Sequence, residues 1–388
     1  MVGIMDFDKL VNQSRLAHIS YELMTATDDV CYKFFCESII NFDVKTIINN
    51  KLHSKTSQVT IPDLFMGKIF GGKIIGKGAV INAHGTLLTD SLLPWIDLNS
   101  PTTYQDYFLK QNYSINKENF NQYSFDSKRS FRYISGTVFV LASPSDFSYS
   151  HFVFESFSKL FFVDETWRNY FNNVKIIVND SIKSYQLDML LSFGIDQKNI
   201  IQKAIDEIIL ADEIIFVESP SHNNNWIIPP AIDFLKLFFL SDIDTRNRKI
   251  LKRFCYFDRN DERVTIRPIV NESNLKQVAK SIGFNIVTPG NIAVSQKGNI
   301  YCHTDVMIAQ YGGGAQLSFL LAPHARLIIF QSPYFKRRML DFIAHIQGQS
   351  LINILGKILP NQSSSQDAAF EINMQDFYLA LEFLKIRN

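Results

Sequence analysis

The chain lacks the features that mark several large function classes. Its 388 residues hold four cysteines, Cys31, Cys36, Cys255 and Cys302, and none of their spacings makes a metal knuckle. Without a secretory context, reduced thiols are expected. No apolar run reaches the ~18 residues of a spanning helix; the richest stretches, 234–240 and 317–323, are far shorter. Residues 1–16 carry Asp6 and Asp8 and no uninterrupted apolar core, so no secretory signal is read there. A cytoplasmic location follows as the expectation, with a peripheral position at the inner face of the membrane left open. Charge of one sign is also missing. Lys plus Arg is 39 and Asp plus Glu is 38, which argues against nucleic acid as a partner. Tryptophan is scarce, 3 residues against 33 Phe and 15 Tyr, and Phe scattered among aliphatics reads as a substitute for Leu in the cores.

What is present reads as α/β. Residues 1–60 suggest a helical prefix, built on Leu10, Ile19, Tyr21 and Leu23, with a short apolar segment at 31–40. Between 61 and 98, Gly67, Gly71, Gly72, Gly76, Gly78 and Gly85 punctuate β-branched pairs. Strands on both sides of these glycines favour hairpin turns over a phosphate loop, which needs a helix after the turn. From 136 to 217 strands and helices alternate, which predicts a parallel sheet with covering helices. A second alternating unit follows: strand 252–257, helix 273–282, strand 284–287, helix 292–302, strand 305–310, helix 315–322 and strand 326–330. The expected domains are therefore 61–241 and 251–360, both α/β and the second Rossmann-like, joined by a polar linker at 242–250. An amphipathic C-terminal helix is expected within 367–388.

Three groups of residues could carry chemistry. Gly312, Gly313 and Gly314 stand between a predicted strand and the helix that opens near Ala315. Bare backbone and free N–H groups suit a diphosphate there, although a tight turn alone would also use glycine. Arg259, Arg263 and Arg267 follow a strand of the same unit. Guanidinium groups bind diphosphates bidentately. The interleaved Asp258, Asp261 and Glu262 offer a plain alternative, a salt-bridged surface loop. His151 and Glu155 share a helix face at i and i+4, a spacing suited to removing a proton from a hydroxyl. Taken alone, the pair reads more readily as a satisfied histidine among Phe152, Phe154 and Phe157. His303 and Asp305 are weak metal candidates, and no metal site is expected. In the turn-rich loop 219–226, His222 and Trp226 are candidate acceptor contacts. The rings between Tyr104 and Tyr123, and Phe147 and Phe152, could stack on sugar faces. The string GGGAQL at 312–317 does not fit the G-x-G-x-x-G opening of a dinucleotide oxidoreductase.

The order of these segments resembles glycosyltransferase family 61, bacterial capsular polysaccharide biosynthesis-type proteins. SYSHFVFESFSKLFF is similar to the family's H-[WF]-x-x-E-x-x-x-[RK]-L, and YFDRNDERVTIRPIVNES to its Y-I-S-R…R-x-x-x-N-E. YGGGAQLSFLLAP is similar to its G-x-H-G-A-G-L-x-N-x-x-F. The resemblance covers roughly residues 65–385. It implies a GT-B-like fold, two Rossmann-like domains facing a cleft, with a C-terminal helix. It implies inverting transfer of a sugar from a nucleotide-sugar donor to a glycan or lipid-linked oligosaccharide acceptor, with no further cofactor. It carries His151 and Glu155 over as the catalytic pair. Arg259, Arg267, Asn271 and Glu272 carry over as nucleotide-sugar contacts, beside Arg263 and the backbone of Gly312 to Ala315. Two departures stand out: Gly313 replaces the family's histidine and Phe319 its asparagine. They motivate an alternative expectation, a non-catalytic subunit of a polysaccharide-assembly complex. Sugar, linkage and oligomeric state are not legible.

Overall fold

The computed structural model describes residues 23–26, 29–35, 37–83, 87–88, 114–115, 123–124, 130–162, 173–222, 225–241, 243, 254–259, 267–335, 337–359 and 367–386. Arg263, most of the 104–123 aromatic stretch and residues 1–22 of the expected prefix lie outside them. By its contacts the chain divides into two α/β units, Met1–Ser38 with Thr60–Asn223, and Ile39–Val59 with Asn224–Asn388.

The sheet of the first unit has a parallel half and an antiparallel half. Phe131–Val140 pairs in parallel with Lys175–Asn179 on one side and Ile208–Val217 on the other, and Ile200–Lys203 continues beyond Lys175–Asn179. Leu64–Phe70 then pairs antiparallel with Ile208–Val217, and Asp29–Phe35 with Leu64–Phe70. The four parallel strands follow the expected alternation, with helix Ser184–Ser192 between two of them. Val138, Val140, Ile177, Ile209, Ile214 and Phe216 form a core on this sheet. Each such side chain withdrawn from water is worth ~1.5–3 kcal/mol. The glycine-rich stretch forms short antiparallel strands, Lys73–Ile75 and Ala79–Ile81. Gly71, Gly76 and Gly78 take left-handed φ in its turns, as hairpin punctuation requires. Gly67 differs: it sits in a strand, and a Cβ there would meet the Phe216 ring at 2.3 Å.

The second unit has strand order Asn285–Val287, Phe254–Phe257, Val306–Gln310, Arg326–Gln331, Ser350–Leu355, then Ser38–Ile48 and Lys51–Ile61. The first six are parallel. The central strands VMIAQ and RLIIFQ are apolar almost throughout, as strands covered on both faces must be. Ile308, Ile328, Phe330 and Ile352 pack with Leu275 of helix Glu272–Ser281 and with Phe377 and Leu381 of the C-terminal helix Met374–Phe383.

Two expectations are corrected here. The described part of residues 1–60 is strand, not helix. SIINFDVKTII is rich in β-branched residues and buries Phe42, Val44 and Ile47, and Asn49 and Asn50 turn the chain with φ of 49° and 59°. Residues 39–59 complete the sheet of the second unit, where Thr46 pairs with Asn353 and Ile47 with Ile354. The division after Asn223 also takes helix Pro229–Leu240 away from the expected 61–241 domain. That helix packs on Val294–Cys302 so closely that a Cβ on Gly298 would lie 1.8 Å from the Phe239 carbonyl oxygen. Of the 242–250 linker, only residue 243 is described. No helix among the described residues is long and apolar enough to cross a membrane.

Candidate functional site

In the second unit, the chain passes from Phe254–Phe257 outward to Asn285–Val287 and then back across to Val306–Gln310. The strand order therefore reverses between the adjacent strands Phe254–Phe257 and Val306–Gln310, the point at which open α/β sheets bind ligands beyond the strand ends. Arg259 leaves the first of these strands and Gly312 the second. The two meet: a Cβ built on Gly312 would be 3.6 Å from Arg259 Cζ and Nε. Gly312 is in extended backbone, so no turn conformation demands glycine there. Gly314 has a different reason. Its Cβ would lie 2.9 Å from Pro289 Cγ, and its carbonyl accepts from Tyr301 at 2.8 Å. Of the three glycines, Gly312 is the one shown facing a cation, while Gly314 packs. The expected helix 315–322 is a four-residue α-turn, Gly313–Gln316, followed by a 3-10 turn, Leu317–Leu320. Its first helical bond runs from Gln316 N–H to Gly312 O at 3.0 Å, so the N–H groups of Gly313, Gly314 and Ala315 precede it.

Arg267 holds a left-handed φ of 57°, unusual for a non-glycine residue and worth ~1–2 kcal/mol of strain. Backbone bonds fix it there, from Arg267 N–H to Asp367 O at 2.9 Å and from Gln310 Nε2 to Arg267 O at 2.6 Å. Its guanidinium then lies over Phe335, with Cζ 3.7 Å from the ring centroid. Arg337 approaches the same ring at 5.0 Å, and Tyr311 packs against it edge-on. Burial lowers the affinity of the Arg259 guanidinium for its proton, and burial together with the Arg259 charge pulls Arg267 down to about 10. Arg259 Nη1, Arg267 Nε and Arg337 Nε are all buried without a hydrogen-bond partner. Among the described residues none of the three has a carboxylate within ion-pair distance. Asp261 and Glu262, two of the three acids of the expected salt-bridged loop, lie outside the described residues. Asp258 is engaged elsewhere, with Lys276 at 2.8 Å and Thr288 at 2.7 Å.

The resemblance-derived Asn271 has another task. Its Nδ2 donates to Ile372 O at 2.7 Å and its Oδ1 accepts from Ile372 N–H at 3.1 Å, which clips residues 101 apart in sequence. Asn271→Ala is expected to cost ~1–3 kcal/mol of stability and to leave nucleotide affinity within about twofold. Thermal melting beside calorimetry with a nucleoside diphosphate checks this, and lost affinity at unchanged melting temperature would return Asn271 to the binding site. Glu272 bonds Lys276 and the Tyr256 hydroxyl, burial raises its carboxyl, and its field reaches Arg259. His303 turns its Nδ1 to Asn299 O at 2.8 Å. Among the described residues no group of three or more metal-ligating side chains occurs.

In the first unit the order reverses again, between Phe131–Val140 and Ile208–Val217. The loop after Phe131–Val140 carries Asp146, and the next residues form one α-turn (Tyr149–His151), a π-turn (Phe152–Ser156) and a 3-10 turn (Phe157–Phe162). π-turns are rare and concentrate at functional sites. His151 Nδ1 and Glu155 Oε1 are 2.8 Å apart, with His151 half-buried and Glu155 only 1% exposed. Glu155 Oε2 is buried with no partner. Burial pushes the Asp146 carboxyl up to about 6, against hydrogen bonds from Ser143 N–H and Asn179 Nδ2.

His222 follows Ile208–Val217 in this unit and is half-buried. Trp226 belongs to the other unit and is 4% exposed, so its ring is core and cannot lie against a sugar as expected. Phe152 is likewise core, whereas Phe147 is exposed. Sequence reading missed Arg337, Phe335, Asp146 and Lys159. The run Lys336-Arg337-Arg338 after a strand was the available signal for the first.

No curated protein matches the chain. Residues 149–328 match the family model Glycosyltransferase 61, a span that begins at the helix of His151 and Glu155 and encloses Arg259, Arg267 and Gly312, and this match indicates a glycosyltransferase.

Proposed function

We propose that the protein moves a sugar from a nucleotide-sugar donor to a growing surface glycan or lipid-linked oligosaccharide, with inversion, in a GT-B-like division of labour. Donor binding is assigned to the second unit and proton removal to the first. The observation that carries this reading is the trio Arg259, Arg267 and Arg337, three guanidiniums with buried, unpartnered N–H groups at a strand-order reversal. Like charges left unpaired in a half-buried place are costly unless an anion completes them. A diphosphate does so with bidentate, charge-assisted bonds.

In the proposed reaction an acceptor hydroxyl attacks the anomeric carbon while the bond to the diphosphate breaks. The electron pair leaves with the diphosphate, whose new charge meets Arg259, Arg267 and Arg337. The hydroxyl proton passes to His151 Nε2. Glu155 is too buried to reach an acceptor, and its Oε1 already faces His151 Nδ1, so it orients the ring and balances the imidazolium. Guanidinium charge takes the part a divalent cation plays in other transferases. His222 and the exposed Phe147 are the acceptor contacts this reading retains.

Calorimetry against a panel of nucleoside diphosphates and nucleotide sugars tests it, followed by NMR of the anomeric proton in the product. Binding of one nucleotide class and an inverted product are expected. A chain that binds none of the panel and transfers nothing is instead a non-catalytic assembly subunit.

A further inference from the structure

Two cations of the arginine trio converge on one aromatic ring. Arg267 Cζ lies 3.7 Å from the centroid of Phe335, and Arg337 Cζ 5.0 Å from it. Both fall inside the ~6 Å within which a ring face attracts a cation. The ring is itself held in place. Its own N–H donates to Ser332 O at 3.1 Å, and the N–H of Tyr334 to Ser332 Oγ at 3.4 Å, so a turn just after strand Arg326–Gln331 sets its backbone. Tyr311, 3% exposed, meets the ring edge-on with centroids 5.6 Å apart. Arg267 reaches the ring from a left-handed backbone that Asp367 O and Gln310 Nε2 hold.

These contacts answer a difficulty that the trio poses. Burial, then the charge of Arg259, and further the charge of Arg337, disfavour the Arg267 cation. Unrestrained, such side chains would swing apart toward water, and regathering them would weaken ligand binding. A carboxylate could hold them, but it would occupy their N–H groups and repel an anion. A ring face attracts a guanidinium without taking its hydrogen bonds, and Nε of both Arg267 and Arg337 is buried with no partner. We infer that Phe335 is a positioning residue: its ring holds the Arg267 and Arg337 guanidiniums together in the ligand-free protein and leaves their N–H groups free for a diphosphate. The inference rests on the proposed nucleotide-sugar site of this unit, and one of its readouts needs no ligand.

The test replaces Phe335 in the full chain by mono-, di- and trifluorinated phenylalanine, which withdraw charge from the ring face at nearly constant shape. Inorganic pyrophosphate is the probe, and calorimetry reads its affinity. Affinity should fall at each step and be about tenfold weaker with the trifluorinated ring, at a nearly unchanged melting temperature. Phe335→Trp, with the ring that attracts cations best, should keep the native affinity, and Phe335→Leu should lose as much as the trifluorinated ring. Affinity that stays flat along the fluorinated series overturns the inference, even if Phe335→Leu fails to fold. The second readout is the Nε–H proton signal of Arg267 in ligand-free chain labelled with 15N-arginine, assigned by subtraction with Arg267→Lys. The ring current of Phe335 should shift it upfield, and Phe335→Leu should release it; a signal with no upfield shift in the native chain also overturns the inference. A native chain that binds no pyrophosphate sinks the proposed nucleotide-sugar site, and the Arg267 signal then still upholds or overturns the role of the ring.

Discussion

Arg259→Ala is expected to lower kcat for sugar transfer by ~10²–10³-fold and to weaken nucleoside diphosphate binding by about tenfold or more. The protein without ligand should be at least as stable as before. This pairing of losses and gains follows from the surroundings of Arg259. Its Nη1 is buried with no partner, and its side chain lies across Gly312. Of the carboxylates whose fields reach it, Glu272 keeps Lys276 and the Tyr256 hydroxyl, and Asp367 keeps the field of Arg267, while Asp258 is held by Lys276 and Thr288. Its field also depresses the neighbouring Arg267, so its removal relieves a repulsion. A surface loop held by ion pairs would behave in the opposite way, losing stability and keeping affinity. Melting curves with and without a nucleoside diphosphate separate the two. Native protein should gain thermal stability from the ligand and Arg259→Ala should gain far less. Equal gains in both would remove Arg259 from the site, and Arg267→Ala would then be examined for the same asymmetry.

Much of this site was legible because it depends on local order. A strand, a charged turn and a helix at 254–281, then a strand and glycines at 306–314, place Arg259 and Gly312 at neighbouring strand ends once the sheet is parallel. The glycine-rich hairpins at 67–81 were legible for the same reason, since turn chemistry is read within a few residues. Pairings distant in sequence were not. Thr46 against Asn353 joins an N-terminal strand to a C-terminal one, and nothing in SIINFDVKTII says which sheet its apolar face will complete. Asn271 was expected as a ligand contact from the family resemblance alone, while the partner its amide holds, Ile372, lies far along the chain. Trp226 looked available because it follows a polar loop, yet Ile227 and Ile228 carry it into the core. Arg337 belongs to a run of cations, a pattern that usually marks a solvated surface. Only Phe335, stacked under two guanidiniums, shows that this one turns inward.

The pair in the first unit predicts an effect of similar size and a different kind. His151→Gln should lower kcat by ~10²–10⁴-fold, the usual contribution of a positioned base, with nucleoside diphosphate affinity unchanged, because no residue of the arginine trio belongs to that unit. Glu155→Gln should cost less. The amide oxygen can still accept from Nδ1–H, which preserves ring orientation, but the charge that balances the imidazolium is gone. Because Glu155 acts only through His151, the double variant should be no slower than His151→Gln alone, the non-additivity of groups that work as a unit. Stability gives an independent check. The buried Lys159 ammonium feels Glu155 more strongly than any other carboxylate, so replacing the carboxylate by an amide leaves that cation less balanced, and a lower melting temperature is expected. Rates that multiply in the double variant would mean that Glu155 touches the substrate itself, and the base would have to be reassigned from the imidazole to the carboxylate.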